Sequence, residues 1–228
     1  VLGAIWSLLN PVVFLAVFTF VVRILGNLLP DYPVFLLSGL LAWNFFANSL
    51  QTGSRSVIDN ANLVKKIAFP REILPLAAIG VALFDFVLQS AVLLAFIAVS
   101  GHGFQLPELL LYPLAIATLL VFTTAITLWV SALNVRYRDI KHAMPFLIQM
   151  WLFCTPIVYP TSLVPERFRP LLSLNPCWGI IDGIRSALLG SSTFDTPAVL
   201  TSLASASVIF VVGLLYFRSA ERSFADVI

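Results

Sequence analysis

The stretch DNANLVKKIAFPREILP, Asp59 to Pro75, decides how the rest of the chain is to be read. It is the longest polar interruption among segments that otherwise look like membrane spans. Lys65, Lys66, Arg71 and, just upstream, Arg55 stand against two acids, Asp59 and Glu72. Such a segment cannot sit in hydrocarbon, where a single charge costs about 3 kcal/mol near the bilayer centre. Asp59 or Asn60 can cap a short helix in which Leu63, Ile67 and, on the adjoining side, Val64 fall at helical spacing while Lys65 and Lys66 point elsewhere. Pro70 then stops it. This predicts a short amphipathic helix on a membrane surface, followed from Arg71 by a new hydrophobic span. On spacing alone, the residues also fit an ordinary basic loop that only fixes topology.

The composition around this stretch reaches the same class. Of 228 residues, 60% are hydrophobic and 11% charged, which is more apolar surface than a soluble domain of this size can bury. The chain reads as an integral membrane protein. Its net charge of +2 is small and gives no sign of a nucleic-acid partner. Cys154 and Cys177 have no metal-like spacing and imply no disulfide framework; Cys154, in an apolar run, reads as a small packing residue. The sequence starts at Val1 without a methionine and shows no cleavable signal pattern, so a further cytoplasmic N-terminal piece is expected.

A bilayer core of about 30 Å asks for roughly 20 apolar residues per helix. Six runs qualify, at about 4–25, 34–54, 73–99, 108–133, 143–159 and 197–217. The first carries Asn10-Pro11, which bends it or marks its entry into the bilayer. The fifth is short and is broken by Pro156 and Pro160. Placing the 55–72 loop inside puts Arg55, Lys65, Lys66, Arg71, Arg136, Arg138, Lys141, Arg218 and Arg222 on one side, and Arg23, Arg167, Arg169 and Arg185 on the other. That asymmetry predicts cytoplasmic termini. Trp6, Trp43, Tyr32, Tyr112, Trp129 and Tyr159 fall near span ends or within reach of them, where amphipathic rings settle.

Between the last two runs, the interval 160–196 holds PERFRPLLSLNP and CWGIIDGIRSALLG, two apolar pieces too short to cross. They are expected in, or dipping into, the outer interface. Gly179 and Gly183 form a GxxxG pair suited to close helix packing, and Asp182 and Arg185, three apart, are placed to pair with each other.

Polar residues inside the spans carry information because burying them against lipid is costly. Asn44, Asn48, Gln51 and Arg55 fall at i, i+4, i+7 and i+11, one face of the second run. They either glue helices together or line a wet path. Asp85 and Gln89 form a similar pair in the third run. The sequence has no GxxxxGK[ST] phosphate loop, no HExxH and no GxSxG, and its two histidines, His102 and His142, read as interfacial bystanders. An intramembrane glycan-modifying enzyme would call for clustered acids, and the eleven here are scattered.

NLVKKIAFPREILPL resembles the loop between the second and third spans of the permeases of bacterial ABC type-two exporters, specifically those that export polysaccharide and teichoic acid. LGAIWSLLNP at 2–11, NVRYRDI at 134–140, TPIVYP at 155–160 and LNPCWGIIDGIR at 174–185 agree in the family's order and cover the chain nearly end to end. The resemblance implies an all-α, six-helix membrane fold in a single permease domain, 1–228. A cytoplasmic amphipathic helix would lie between spans 2 and 3, and two short re-entrant or interfacial helices between spans 5 and 6. It implies residence in the inner membrane, a homodimer, and a separate ATP-binding subunit that holds ATP and Mg, with no cofactor in this chain. The substrate implied is a lipid-linked glycan of O-antigen type. Teichoic acid, capsule, small lipids or drugs remain alternatives, as does an assembly subunit with no conduit of its own. On this reading Asn62, Lys65, Lys66, Phe69 and Arg71 meet the ATPase subunit. Asn44, Asn48, Gln51, Arg55, Asp85, Arg136 and Arg138 belong to the substrate path or its inner mouth, where Arg136, Arg138 and Lys141 could equally anchor membrane lipid. Asn175, Trp178, Gly179, Asp182, Gly183 and Arg185 shape the outer re-entrant region.

Overall fold

The computed structural model describes residues 32–99, 111–168, 175–189 and 196–224, together with Leu9, Val13, Ala16, Val17, Phe20 and Leu172. The described chain is all-helical, with no strand among the described residues. Its α-helices are α1 (Tyr32–Asp59), α2 (Ala61–Lys66), α3 (Ile73–Val99), α4 (Leu111–Arg136), α5 (Ile140–Cys154), α6 (Pro176–Leu189) and α7 (Thr196–Glu221). Two 3-10 turns, Thr161–Leu163 and Glu166–Phe168, follow α5. Among the described residues, four segments are long and apolar enough to cross a membrane: Val34–Asp59, Ile73–Ala98, Tyr112–Arg136 and Val199–Glu221. The expected first span lies outside the described residues, apart from five positions that are helical and exposed.

α1 and α4 are the inner pair. Their spans are 67% and 56% buried, against 28% and 22% for α3 and α7, which keep apolar faces outward. α3 packs on α1, and α7 on α4 and α6. The α1–α4 approach follows from small residues, because lipid supplies no hydrophobic drive between helices and close backbone contact must replace it. Thr123, Thr127, Ser131 and Asn134 form a fully buried stripe on α4. A Cβ on Gly53 of α1 would lie 2.2 Å from the Thr127 Cγ2. Asn134 Nδ2 donates to the Ser54 carbonyl at 2.8 Å. On the other flank, a Cβ on Gly213 of α7 would lie 2.7 Å from the Ala125 carbonyl oxygen. The larger core contains stacked Phe46 and Phe122 rings with centroids 5.6 Å apart, and Trp151 of α5 set edge-on to both. A second cluster, Val57, Val64, Leu128, Val135, Phe217 and Phe224, ties the ends of α1, α4 and α7 to α2.

Several boundaries differ from the sequence reading. α1 runs to Asp59 rather than 54, so Arg55 is helical; Gly53 does not break the helix because it is packed against α4. α5 covers 140–154, not 143–159. Thr155 precedes Pro156, whose ring disfavours the α conformation one residue earlier. Its φ of −107° and ψ of 132° are the extended geometry that results. At fifteen residues α5 is about 22 Å long, short of the bilayer core. The short helix after Asp59 stops at Lys66, with Ile67 extended, rather than reaching Pro70. Asn60 stands at its N-cap position without a side-chain cap bond, its Nδ2 donating instead to the Ser56 carbonyl at 2.8 Å. Only Val64 of the three expected apolar residues is buried, while Leu63 and Ile67 are exposed. Trp43 is a core residue, packed on Phe46, not an interfacial ring.

Candidate functional site

The polar residues of α1 share one face, as their spacing predicts, and that face is not sealed. Asn48, Gln51 and Thr52 are exposed, and Asn44 and Arg55 are half-buried, on the side of α1 away from Ser49, Leu50, Gly53 and Ser54. Asn44 Nδ2 and Arg55 Nε are enclosed yet have no hydrogen-bond partner among the described residues. Asn48 and Gln51 thus offer a polar surface outward from a core helix, while Arg55 reaches a neighbouring helix. At its end, Arg55 Nη2 donates to the Lys141 carbonyl at 3.4 Å. That carbonyl is available because Pro145, four residues on, has no N–H to complete the α5 turn. A proline inside one helix thus exposes an acceptor that orients the arginine ending the stripe. Beside it α5 presents Phe146, Leu147, Met150 and Phe153, all half or more exposed.

Arg55 opens onto the basic end of the bundle. Asn62, Lys65 and Lys66 are exposed on α2, and Phe69 is partly buried against the second cluster. Arg71 does not join that exposed set. Its guanidinium donates to the Glu221 carbonyl, one of the unpaired acceptors at the C-terminal end of α7, where the helix dipole also favours a cation. Next to it, Arg218 pairs with Glu72 at 3.6 Å. The segment between α1 and α3 is thereby fastened to α7. Arg136 and Arg138 are exposed at the same end.

The opposite end is built by two side chains the spacing undervalued. Arg185 was expected to pair with Asp182, but its hydrogen bonds go elsewhere: to the carbonyls of Phe35 at 3.3 Å, Pro156 at 2.6 Å and Ile157, with its Cζ 3.6 Å from the Phe35 ring centroid. Asp182, half-buried on the same helix, acts on it by charge. Three backbone groups of α1 and of the 155–160 segment are thus held by one buried guanidinium. Asn175 caps α6, accepting from the Cys177 N–H at 3.2 Å and from Trp151 Nε1 at 3.1 Å, and donating to Thr155 Oγ1 at 2.9 Å. Trp178 Nε1 donates to Thr161 Oγ1 at 3.3 Å. Gly179 and Gly183 are buried, and a Cβ on Gly183 would meet Val199 at 3.1 Å, so the GxxxG spacing serves close packing of α6 on α7. Cys177 is buried and its thiol is pushed up by that burial, in keeping with a packing role. Cys154 is instead exposed and lines a cavity of about 510 Å³ with Trp151, Tyr159, Phe168 and Leu172.

Of the residues singled out from sequence, the structure brings together Asn44, Asn48, Gln51 and Arg55 on one face, and Asn175, Trp178, Gly179, Gly183 and Arg185 in one end. Asp85 lies half-buried on α3 and is engaged by a partner. Asn134 and Thr155 went unnoticed, although each sits inside a motif that had been quoted, NVRYRDI and TPIVYP.

Comparison with known proteins gives a consistent picture. Residues 1–189 match the family described as ABC-2 type transporter. The chain is 29% identical over 230 residues to an O-antigen export system permease protein of Klebsiella pneumoniae, covering all of this chain and 88% of the relative. It is 31% identical over 233 residues to the O-antigen export system permease protein of Myxococcus xanthus, covering 99% and 87%. It is 22% identical over 232 residues to a polysialic acid transport protein of Escherichia coli, covering 97% and 87%.

Proposed function

Since the chain belongs to the ABC-2 type transporter family, we propose that it is the membrane permease of an ATP-driven exporter that moves a lipid-linked, O-antigen-type polysaccharide across the inner membrane. The O-antigen export permeases it resembles at 29–31% identity support this polymer class over polysialic acid, whose transport protein stands at 22%. The observation that carries the mechanism is the α1 stripe. A helix at the centre of an apolar bundle exposes Asn48, Gln51 and Thr52 in a stripe that ends at Arg55. Amides can exchange hydrogen bonds with hydroxyl-rich sugars without holding any one of them, and Arg55 suits an anionic substrate group entering from the basic end. In this reading six spans contribute, the basic end with both termini is cytoplasmic, and α2 lies along the membrane surface with Leu63 and Ile67 toward lipid. A separate subunit binds ATP and Mg and docks on α2. Two copies of the chain face each other across the stripes, because one bundle with so few polar residues cannot enclose a hydrated path.

Cysteines at positions 48 and 51 test the path. They should react with a small water-soluble thiol reagent, and their rates should change when the partner ATPase is trapped with nucleotide. Inertness in both states, in a protein that still exports, would remove α1 from the route. Exposed Cys154 must first be replaced to keep the background silent.

The fastening of the 60–72 segment to α7 gives a second test. Reversing Glu72 or Arg218 singly should lower substrate-stimulated ATP hydrolysis about two-fold, in line with a partly exposed ion pair. The double swap, Glu72→Arg with Arg218→Glu, should restore it. A swap that behaves like the sum of the two single changes would show that the pair does not transmit force.

A further inference from the structure

Beyond the contact of Gly213 with Ala125, α4 and α7 part enough to leave a cavity of about 450 Å³ between their last turns. Val135 and Phe224 form its apolar floor; Arg136, Tyr216, Ser219 and Ser223 supply its polar groups. Arg136 is two residues from Arg138 in sequence, yet this cavity lies between α4 and the end of α7, and none of its lining residues belongs to α1. The cavity is therefore not part of the route described above. One further pattern gives it a shape. Val208, Val212, Leu215 and Ser219 fall at i, i+4, i+7 and i+11 on α7, all exposed, with Arg222 and Ser223 one turn further. An exposed apolar track runs along the helix and ends at a cationic, hydroxyl-lined rim.

We propose that this cavity seats the headgroup of an anionic bilayer phospholipid bearing hydroxyls, of the phosphatidylglycerol kind, with an acyl chain along Val208, Val212 and Leu215. Arg136 meets the phosphodiester, and Ser219, exposed at the rim, donates to it. Ser223 already donates to the Ala220 carbonyl at 2.9 Å, so its oxygen is an acceptor for a headgroup hydroxyl. Both helices end here, and their C-terminal dipoles alone would disfavour an anion. Arg136 and Arg222 offset that, and the carbonyl-rich helix ends favour a headgroup that brings its own donors. Phosphate alone lacks the hydroxyls and the chain; a zwitterionic lipid lacks the net charge.

The test is native mass spectrometry of the full chain after detergent exchange, with dioleoyl phosphatidylglycerol or dioleoyl phosphatidylcholine as the probe. Retained phosphatidylglycerol should exceed phosphatidylcholine about five-fold, Arg136→Gln should bring the two level, and Arg136→Lys should keep most of the preference. Ser219→Trp, at an exposed position that tolerates bulk, should exclude the lipid by filling the rim even if Arg136→Gln proves unstable. Equal retention of both lipids, or full phosphatidylglycerol retention by a folded Arg136→Gln and by Ser219→Trp, overturns the proposal. Displacement by inorganic phosphate would assign the site to phosphate alone, and one-for-one displacement by a polyprenyl diphosphate would assign it to the exported carrier; either result also overturns it.

Discussion

Arg185→Leu should cost on the order of 2–3 kcal/mol of stability, the largest stability loss among the substitutions proposed for this chain. The guanidinium is 5% exposed and satisfies three backbone carbonyls drawn from α1 and from the segment after α5. Leucine is of similar bulk but strands the Pro156 and Ile157 carbonyls, at about 1 kcal/mol or more each, while the Phe35 carbonyl keeps its bond from Ser38 Oγ. Arg185→Lys should recover only part of the loss, because a point-like ammonium cannot fork toward carbonyls of two separate segments. Gly39→Ala should act through the same residue. Its Cβ would lie 2.6 Å from Arg185 Nη2 and 3.3 Å from Ile157 Cγ2, so the planar group must leave its place. The two substitutions should therefore be strongly non-additive. Thermal unfolding of the purified protein in detergent measures this. An Arg185→Leu protein melting with the wild type would mean that water replaces the guanidinium and that the network is ornamental.

Reversing Lys65 and Lys66 together to Glu should abolish most substrate-stimulated ATP hydrolysis while leaving insertion and folding intact. Both side chains are exposed on α2, whose buried residue is Val64. The change thus alters the surface offered to a partner and leaves the core untouched, with reversed charge acting chiefly on the rate of docking and on wrong-sign repulsion. ATPase assays of the reconstituted complex, alongside a protease test of orientation, separate a docking defect from a topological one. A normal ATPase rate from a correctly oriented double variant would reduce α2 to a topogenic signal.

Much of the architecture was legible because long apolar runs and the Asp59–Pro75 interruption are strong signals. α3 was placed at both its ends. Where ends were misjudged, hydropathy had set them: the second run was ended at 54, whereas α1 continues through Arg55 to Asp59, with Gly53 the close-approach point for Thr127. The end of α5 could have been found, since a residue before proline avoids the helix, but hydropathy continued past it and won the reading. The stripe on α1 was legible from spacing; its exposure was not, because periodicity states which residues share a face and not what covers it. Arg185 was noticed for only one of its partners. Spacing of three on a helix suggests Asp182, whereas the carbonyls it holds are 28 and 150 residues away. Asn134 hid behind the three charges that follow it, and only the packed structure shows that it is fully buried while they are exposed.

The shortness of α5 has a bearing on how the chain is made. Its far end and the TPIVYP segment are fixed by Asn175 and Arg185, residues translated 20 to 29 positions later. During synthesis, a helix too short to span and without its anchors has no settled depth in the bilayer. At ordinary elongation rates of about 5–20 residues per second, it waits on the order of seconds for α6 to arrive. Two structural proteins of the same spans but without that late clasp would differ little by hydropathy, yet only one would know where its fifth helix ends.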